Sequence, residues 1–534
     1  MPQSSELQTA ESSSSNFRGL DLHIEPTVFD KLASQITLCG GPRKPITAPS
    51  PYTGQVLGRI PAGQEADVEL AVHRARAAQP AWAARSFADR AKVFLRFYDL
   101  LVERHAEVLD LIQLETGKAR SHAFEEILDT AVVSRYYAMR AEKLLAPRRR
   151  KGALPWLTRT WEFRSPVGVA GFIVPWNYPL NLAVTDAVPA LMAGNTAVLK
   201  PDRQTSFTAL WAVNLLREAG LPADVFPVVT GDGSTIGPAL ARSVDFLMFT
   251  GSTSTGKLVA GSAAARLIGC SLELGGKNPM IVCADADVEA AVDGAIRGCF
   301  TAAGQLCVSI ERIYVHQTLF DRFAGRFAER ARALKIGAAL DYSMDMGSLT
   351  SERQLAKVEE HVSDAVEKGA TVLAGGRRRP DAGPLFYEPT ILTDVRETMK
   401  VYAEETFGPL VSLYPFATED EAIERANATP YGLNASVWTR HAGRGVRLAQ
   451  KIRAGSVNVN EAYLAAWGSV DAPIGGMKES GLSRRHGTEG ILKFTETQTV
   501  AVQRLPLAPP GGMTWGAFAQ WLARLLKLLR HTRI

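Results

Sequence analysis

Apolar residues recur at three- and four-residue spacing over 67–78 and 88–115, the pattern of helices with one buried face. Between about 164 and 283 the texture changes to short apolar runs. These are Val167-Gly168-Val169-Ala170-Gly171-Phe172-Ile173-Val174, Thr196-Ala197-Val198-Leu199, Val225-Phe226-Pro227-Val228-Val229 and Phe246-Leu247-Met248-Phe249. A helical stretch at 205–219 separates two of them. Near-continuous apolar strands alternating with helices predict an α/β chain whose parallel sheet is covered on both faces. A second alternating region follows at about 278–460, and no internal repeat is present. Pro506-Leu507-Ala508-Pro509-Pro510-Gly511-Gly512 reads as a stiff, turn-rich linker before a tail. In that tail Trp515, Phe518, Leu522, Leu525 and Leu529 fall on one helical face, and Gln520, Arg524, Lys527 and His531 on the other.

Length and composition narrow the class. A chain of 534 residues accommodates two or three domains, and 46% hydrophobic with 22% charged residues is ordinary for a globular protein. The five cysteines (Cys39, Cys270, Cys283, Cys299 and Cys307) are odd in number and form no CxxC pair. Reduced thiols in the cytoplasm are the expectation. Residues 1–16 are Ser-rich, carry Glu6 and Glu11 and lack an apolar core, so 1–24 reads as a disordered leader and not a signal peptide. Net charge is +5; Arg524, Lys527, Arg530 and Arg533 in 514–534 supply +4, and five minus four leaves +1 for the rest. The basic balance is a property of the tail and predicts no nucleic-acid partner. A basic amphipathic helix starting with Trp fits peripheral contact with an anionic membrane, or docking on the protein or a partner subunit; its charges exclude a spanning helix.

Three strings carry chemistry. Cys307 lies in Gly304-Gln305-Leu306-Cys307, and Glu273 opens Glu273-Leu274-Gly275-Gly276-Lys277, so a nucleophile and a candidate base share one chain. Asn177 lies in Pro175-Trp176-Asn177-Tyr178-Pro179, where flanking prolines restrict the loop. Alone, each has an ordinary reading: a packing cysteine, a surface glutamate, an Asn in a turn. Gly251-Ser252-Thr253-Ser254-Thr255-Gly256 closes a predicted strand and opens a predicted helix, where backbone N–H groups can meet a pyrophosphate. Its G-x-T-x-x-G pattern departs from the usual G-x-G-x-x-G. Gly231-Asp232-Gly233 reads as a plain turn, and no metal-ligand spacing such as H-E-x-x-H occurs.

In this order the strings resemble the NAD(P)-dependent aldehyde dehydrogenase superfamily, over roughly residues 25–505. The resemblance implies a Rossmann-like parallel-sheet cofactor domain (25–143 and 167–275), a second α/β catalytic domain (276–475) and a small β oligomerisation element (144–166 and 476–505). The linker and tail, 506–534, follow. It implies Cys307 as nucleophile, Asn177 as oxyanion donor with the Cys307 N–H, and Glu273 as base for the attacking water. On the cofactor side it implies Gly251, Ser252 and Gly256 at the pyrophosphate and Lys200 at the adenosine ribose. Glu405 would hold the nicotinamide ribose, with Phe407 and Trp176 packed by the ring. Arg203 occupies a position that is typically Glu in NAD-preferring members, and a guanidinium there attracts a 2′-phosphate, which favours NADP over NAD. A homodimer or homotetramer is implied. A relative that acylates a carrier has no need of Glu273, and a silent relative would lack Cys, Asn or Glu; all three are present.

For the aldehyde, Ser309-Ile310-Glu311-Arg312-Ile313-Tyr314-Val315, Gly383-Pro384-Leu385-Phe386-Tyr387-Glu388-Pro389-Thr390 and Arg484-Arg485-His486-Gly487 look most like an actinobacterial-type branch of NADP-dependent succinate-semialdehyde dehydrogenases. Such enzymes place arginines at the positions of Thr185 and Thr301, and both are missing here. Tyr463, Leu464 and Trp467 are expected at the tunnel mouth, which makes it apolar and suits a medium- or long-chain or aromatic aldehyde. His486 is expected at the surface or an interface, and Cys270, Cys283 and Cys299 in packing roles.

Overall fold

The computed structural model describes residues 27–152 and 157–530. The leader expected at 1–24, and His531 of the tail, lie outside the described residues. Two large sheets dominate. The first has five strands in the order Gly481–Leu482, Gly269–Glu273, Phe246–Thr250, Val169–Ile173, Thr196–Lys200. All its pairings are parallel except that of Gly481–Leu482. The second has seven strands, in the order Thr371–Ala374, Thr390–Thr393, Leu410–Phe416, Ile310–His316, Asn278–Val282, Asn434–Trp438, Ser456–Val459, and only Thr371–Ala374 runs antiparallel. The inner strands Val169–Ile173, Phe246–Thr250 and Asn278–Val282 are buried at every residue, as a parallel sheet covered on both faces requires. The α/β class expected from the apolar runs is the fold observed.

A three-stranded antiparallel sheet stands apart from both, with Thr158–Pro166 between Thr495–Gln503 and Arg148–Arg150. Eight of the nine residues in Thr495–Gln503 are exposed, so this strand presents a side that the chain itself does not cover.

Two elements differ from the sequence pattern. The run at 225–229 is no strand: a 3-10 turn, Ala223–Val225, leads to a lone bridge between Val228 and Leu199. Pro227 has no N–H to donate to a ladder, which limits the pairing. The helical pattern at 88–115 is two helices, Phe87–Glu103 and His105–Thr116. The break at Arg104 lets its guanidinium bind Glu107 at 2.7 Å and Glu218 at 2.8 Å while lying over the Trp211 ring. The tail helix, Trp515–Leu529, buries Phe518, which stacks on Trp521 and meets Trp515 edge-on. Trp515, Trp521, Leu526 and Leu528 stay exposed. Among the described residues no helix is long and apolar enough to cross a membrane.

Candidate active site

The chain passes directly from one large sheet to the other. Glu273 is the last residue of a strand in the five-stranded sheet, and Asn278 is the first of a strand in the seven-stranded sheet. Asn177 and the 251–256 loop follow the carboxyl ends of Val169–Ile173 and Phe246–Thr250, where open α/β sheets place their ligands. Cys307 comes just before Ile310–His316, and Glu405 and Phe407 just before Leu410–Phe416. Asn177, Glu273, Cys307, Glu405 and Phe407 are thereby carried towards the junction between the sheets, while Lys200 and Arg203 lie at the end of the edge strand Thr196–Lys200.

The Cys307 loop is held by its backbone. Gly304 has φ +71°, and a Cβ there would stand 2.1 Å from the carbonyl oxygen of Gly408, so only glycine lets these loops meet. Ala302 and Ala303 also sit in the left-handed region, at φ +51° and +54°, a conformation that costs an L-residue roughly 1–2 kcal/mol. Asn278 Nδ2 donates to the carbonyls of Cys307 (2.8 Å) and Ser309 (2.7 Å). Asn177 is buried, and its Nδ2 donates to the Gln305 carbonyl at 3.1 Å. The Asn177 carbonyl in turn accepts from Lys118 Nζ at 2.6 Å, and Lys118 pairs with Glu126 at 2.7 Å. Glu126 Oε2 accepts from the backbone N–H groups of Leu180 (2.9 Å) and Asn181 (3.2 Å). Lys118 and Glu126 therefore fix the loop that carries Asn177. Sequence reasoning missed both, because a Lys and a Glu outside every recognisable string read as solvated.

Burial sets the charge states. It pushes the Glu273 carboxyl up to about 7, against the pull of Arg485 and Lys493. Its Oε1 is buried without a hydrogen-bond partner, so the oxygen is free for a proton. Burial, and then the Glu273 charge, push the Cys307 thiol up to about 12; Arg485 opposes this. Thiolate and ionised Glu273 disfavour each other, and Arg485 is a cation acting on both. Arg485 is itself buried, bound to Asp186 at 2.6 Å and donating to Thr185 Oγ1 at 3.0 Å; Lys493 also reaches Asp186, at 3.3 Å.

The Aldehyde dehydrogenase family profile matches residues 40–500. This chain belongs to the aldehyde dehydrogenase family. It is an oxidoreductase that acts on aldehydes. A protein of Mycobacterium tuberculosis (strain H37Rv) that carries the provisional name succinate-semialdehyde dehydrogenase (NADP+) 2 is 50% identical over 505 residues, covering 94% of this chain and 97% of that one. A crystal structure described as an E. coli NADP dependent enzyme superposes with TM-score 0.84 at 36% identity, over 89% of this chain and 99% of that one. A Bacillus cereus aldehyde dehydrogenase solved with NAD+ gives TM-score 0.84 at 35% identity, over 90% and 99%.

The 251–256 loop has the shape that a dinucleotide requires. A Cβ at Gly256 would lie 2.5 Å from Leu274 Cδ2, so glycine is what lets the helix Thr253–Ala265 lie against that strand end. A Cβ at Gly251 would lie 2.6 Å from the Phe249 ring. Ser252 Oγ caps the helix by accepting from Thr255 N at 3.3 Å, and the remaining first-turn N–H groups have no partner within the helix. Lys200 is buried at the end of its strand, where burial lowers its pKa and Asp202 and Asp232 oppose that. Arg203 is mostly exposed and pairs with Asp232 at 3.1 Å, not with Asp202. An exposed pair of this kind holds by at most about 1 kcal/mol, so a phosphate can replace Asp232.

On the other wall, Trp176 meets the Phe407 ring edge-on at 5.5 Å, and Phe407 itself has φ +58°. A buried pair, Lys277 and Glu311 at 2.6 Å, braces this segment; Glu311 accepts from the N–H groups of Thr406 and Phe407, both at 2.9 Å. Glu405 accepts from Gly276 N at 2.9 Å, and burial followed by the Glu311 charge pushes it up to about 7. Glu405 thus lies against the Gly275-Gly276 turn, and a Cβ at Gly275 would clash with its carboxylate at 2.5 Å.

Two expectations are corrected. His486 is buried, not at the surface; its ring meets Trp467 edge-on, and burial pulls it down to about 3, so it is neutral. The region assigned to the tunnel mouth is not wholly apolar: Tyr463 is buried and its hydroxyl donates to Glu125 Oε1 at 2.9 Å. Cys283 and Cys299 are buried, and Cys270 is half-buried.

Proposed function

We propose that this chain oxidises an aldehyde to its carboxylic acid with NADP+, through a covalent intermediate on Cys307. The Cys307 sulfur adds to the carbonyl carbon, and the thiol gives its proton to solvent water. The Asn177 amide and the Cys307 N–H bind the oxyanion of the thiohemiacetal. When bound, the nicotinamide supplies the hydride acceptor. Glu273 then takes a proton from water, which attacks the resulting thioester and releases the acid and the free thiol. Gly251, Ser252 and Gly256 would hold the pyrophosphate, Lys200 the adenosine ribose, and Glu405, Phe407 and Trp176 the nicotinamide end. The convergence of Asn177, Glu273 and Cys307 on one buried junction, with Glu273 Oε1 unpartnered, carries this reading.

Arg203 supports NADP+ as the preferred cofactor. Arg203→Glu is expected to lower kcat/KM with NADP+ by at least about tenfold and to raise that with NAD+, the loss of one charge-assisted bond plus like-charge repulsion. Initial rates with both cofactors test this, and a wild-type preference for NAD+ refutes it.

The relative's name points to succinate semialdehyde as a substrate. The site favours a second reading, an uncharged aldehyde, because Thr185 and Thr301 stand where arginines would bind a carboxylate. The guanidinium that reaches Thr185 belongs to Arg485 and is bound to Asp186, a carboxylate it shares with Lys493. Initial rates over a panel of aldehydes separate the two.

The uncovered strand Thr495–Gln503 supports assembly into a homodimer or homotetramer through this sheet. The exposed Trp515, Trp521 and Leu528, beside Arg524 and Lys527, support peripheral contact with an anionic bilayer. The full chain is expected to cosediment with phosphatidylserine vesicles at low ionic strength and to be released by salt; absence from the pellet ends the membrane reading.

A further inference from the structure

The helix Arg120–Leu145 forms one wall of the site. Glu126 binds the Asn177 loop, and the His122 Nδ1 accepts from the backbone N–H of Ala302 at 3.1 Å. Glu125 lies between these two residues and has no part in either contact. Its Oε1 accepts from the Tyr463 hydroxyl at 2.9 Å, and its Oε2 from the Tyr178 hydroxyl at 3.3 Å. The Tyr463 hydroxyl is also 3.2 Å from Thr301 Oγ1. Tyr178 and Tyr463 belong to the apolar cluster against which Cys307 packs. Glu125 is half-buried, and burial pushes its carboxyl up to about 7, against the hydrogen bond from Tyr463 and the pull of Lys118. Phe124 and Leu128, on the same helix, are exposed, and so is Leu464.

The cations near Glu125 are engaged elsewhere. Lys118 binds Glu126 and the Asn177 carbonyl, with its Nζ 3.6 Å from the centre of the Tyr178 ring. Arg297 pairs with Glu461 at 3.2 Å. The Glu125 carboxyl is therefore framed by two tyrosine hydroxyls, and the charge of Cys307 acts on one of these tyrosines, Tyr178.

We propose that Glu125 is the specificity-determining residue of the aldehyde tunnel: it faces the distal end of the substrate, excludes aldehydes that end in a carboxylate and admits those whose distal end is uncharged or carries a hydrogen-bond donor or a cation. The inference rests on the aldehyde-oxidising role of Cys307 and adds the chemistry of the substrate's far end. Two carboxylates side by side in a partly dehydrated site repel, and the two cations that pull on Glu125, Lys118 and Arg297, are already paired with Glu126 and Glu461.

The experiment compares succinate semialdehyde with its methyl ester, which differ at the distal end in one charge, and adds 4-aminobutanal. Wild-type kcat/KM is expected to be at least about tenfold higher for the ester and the amine than for the acid. In Glu125→Gln the ester-to-acid ratio falls at least about tenfold, through a higher rate with the acid. A wild-type preference for the acid overturns the proposal without any variant, and so does a folded Gln variant whose ratio equals that of the wild type. Failure with all three while an aromatic or long-chain aldehyde is oxidised also overturns the proposal, whereas failure with every aldehyde overturns instead the reading of Cys307 as the oxidative nucleophile.

Discussion

Cys307→Ala is expected to reduce NADP+ with its best aldehyde at a rate lower than wild type by a factor on the order of 10⁴ or more, the scale seen when an enzyme loses its nucleophile. The remaining parts of the site cannot compensate, because the oxyanion donors act only after a bond to the carbonyl has formed. The loop should survive the change. Its shape is set by Gly304 against the Gly408 carbonyl and by Asn278 on the Cys307 carbonyl, and both contacts are to backbone. Thermal melting and cofactor binding, followed by quenching of tryptophan fluorescence, are therefore expected to match wild type while turnover disappears. The same loop bears on reactivity towards alkylating agents. A thiol pushed up to about 12 by burial and by Glu273 is mostly protonated at neutral pH, so alkylation of the cofactor-free enzyme should be slow and should accelerate as pH rises. A Cys307→Ala enzyme that turns over at the wild-type rate removes the basis of every role assigned in the site.

What the sequence made legible follows from where chemistry sits in this fold. Asn177, Gly251, Glu273 and Cys307 lie at strand ends, and fully apolar strands such as Val169–Ile173 and Phe246–Thr250 mark those ends clearly in a one-dimensional pattern. The α/β class was legible for the same reason. The buried charges were not. Lys118, Glu126, Lys277, Glu311, Asp186, Arg485 and Lys493 look like ordinary surface residues until the fold pairs them, Lys118 with the nearby Glu126 and Arg485 with the distant Asp186. A signal was present in one case: Lys277 and Glu311 each lie within a recognisable string, and a charge beside apolar strand residues needed a partner. Glu125 was hidden in another way, because its significance comes from Tyr178 and Tyr463, whose hydroxyls reach it from separate loops. The 88–115 pattern concealed its break at Arg104 because both helices keep the same apolar spacing.

Glu273→Gln is expected to separate the two halves of the reaction. Thiohemiacetal formation and oxidation need Cys307 and the oxyanion donors, so one equivalent of NADPH should still form rapidly. Hydrolysis of the thioester needs a base, and steady-state turnover should fall by about 10²–10⁴. In wild type, the base acts as carboxylate. With Glu273 pushed up to about 7, kcat should decline as pH falls below neutrality, and the variant should lose that acid limb. Stability carries the opposite signature. An acid whose folded pKa is raised from 4.5 to about 7 binds its proton more tightly when folded than when unfolded. Its contribution is full below pH 4.5 and is lost as pH rises through 7, so by pH 8 the ionised, buried carboxylate leaves wild type roughly 3 kcal/mol less stable than it is with Glu273 protonated. Glutamine cannot ionise, and Oε1 has no hydrogen bond to lose. Glu273→Gln is therefore expected to melt at a higher temperature than wild type at pH 8 and at nearly the same temperature at pH 4.5. Rapid-mixing NADPH bursts and melting curves at the two pH values check both halves. A variant that loses its burst along with its turnover would place Glu273 before the thioester. A variant that melts at or below wild type at pH 8 would mean that the buried carboxylate is compensated within the fold, leaving no cost to relieve and no raised pKa for catalysis to use.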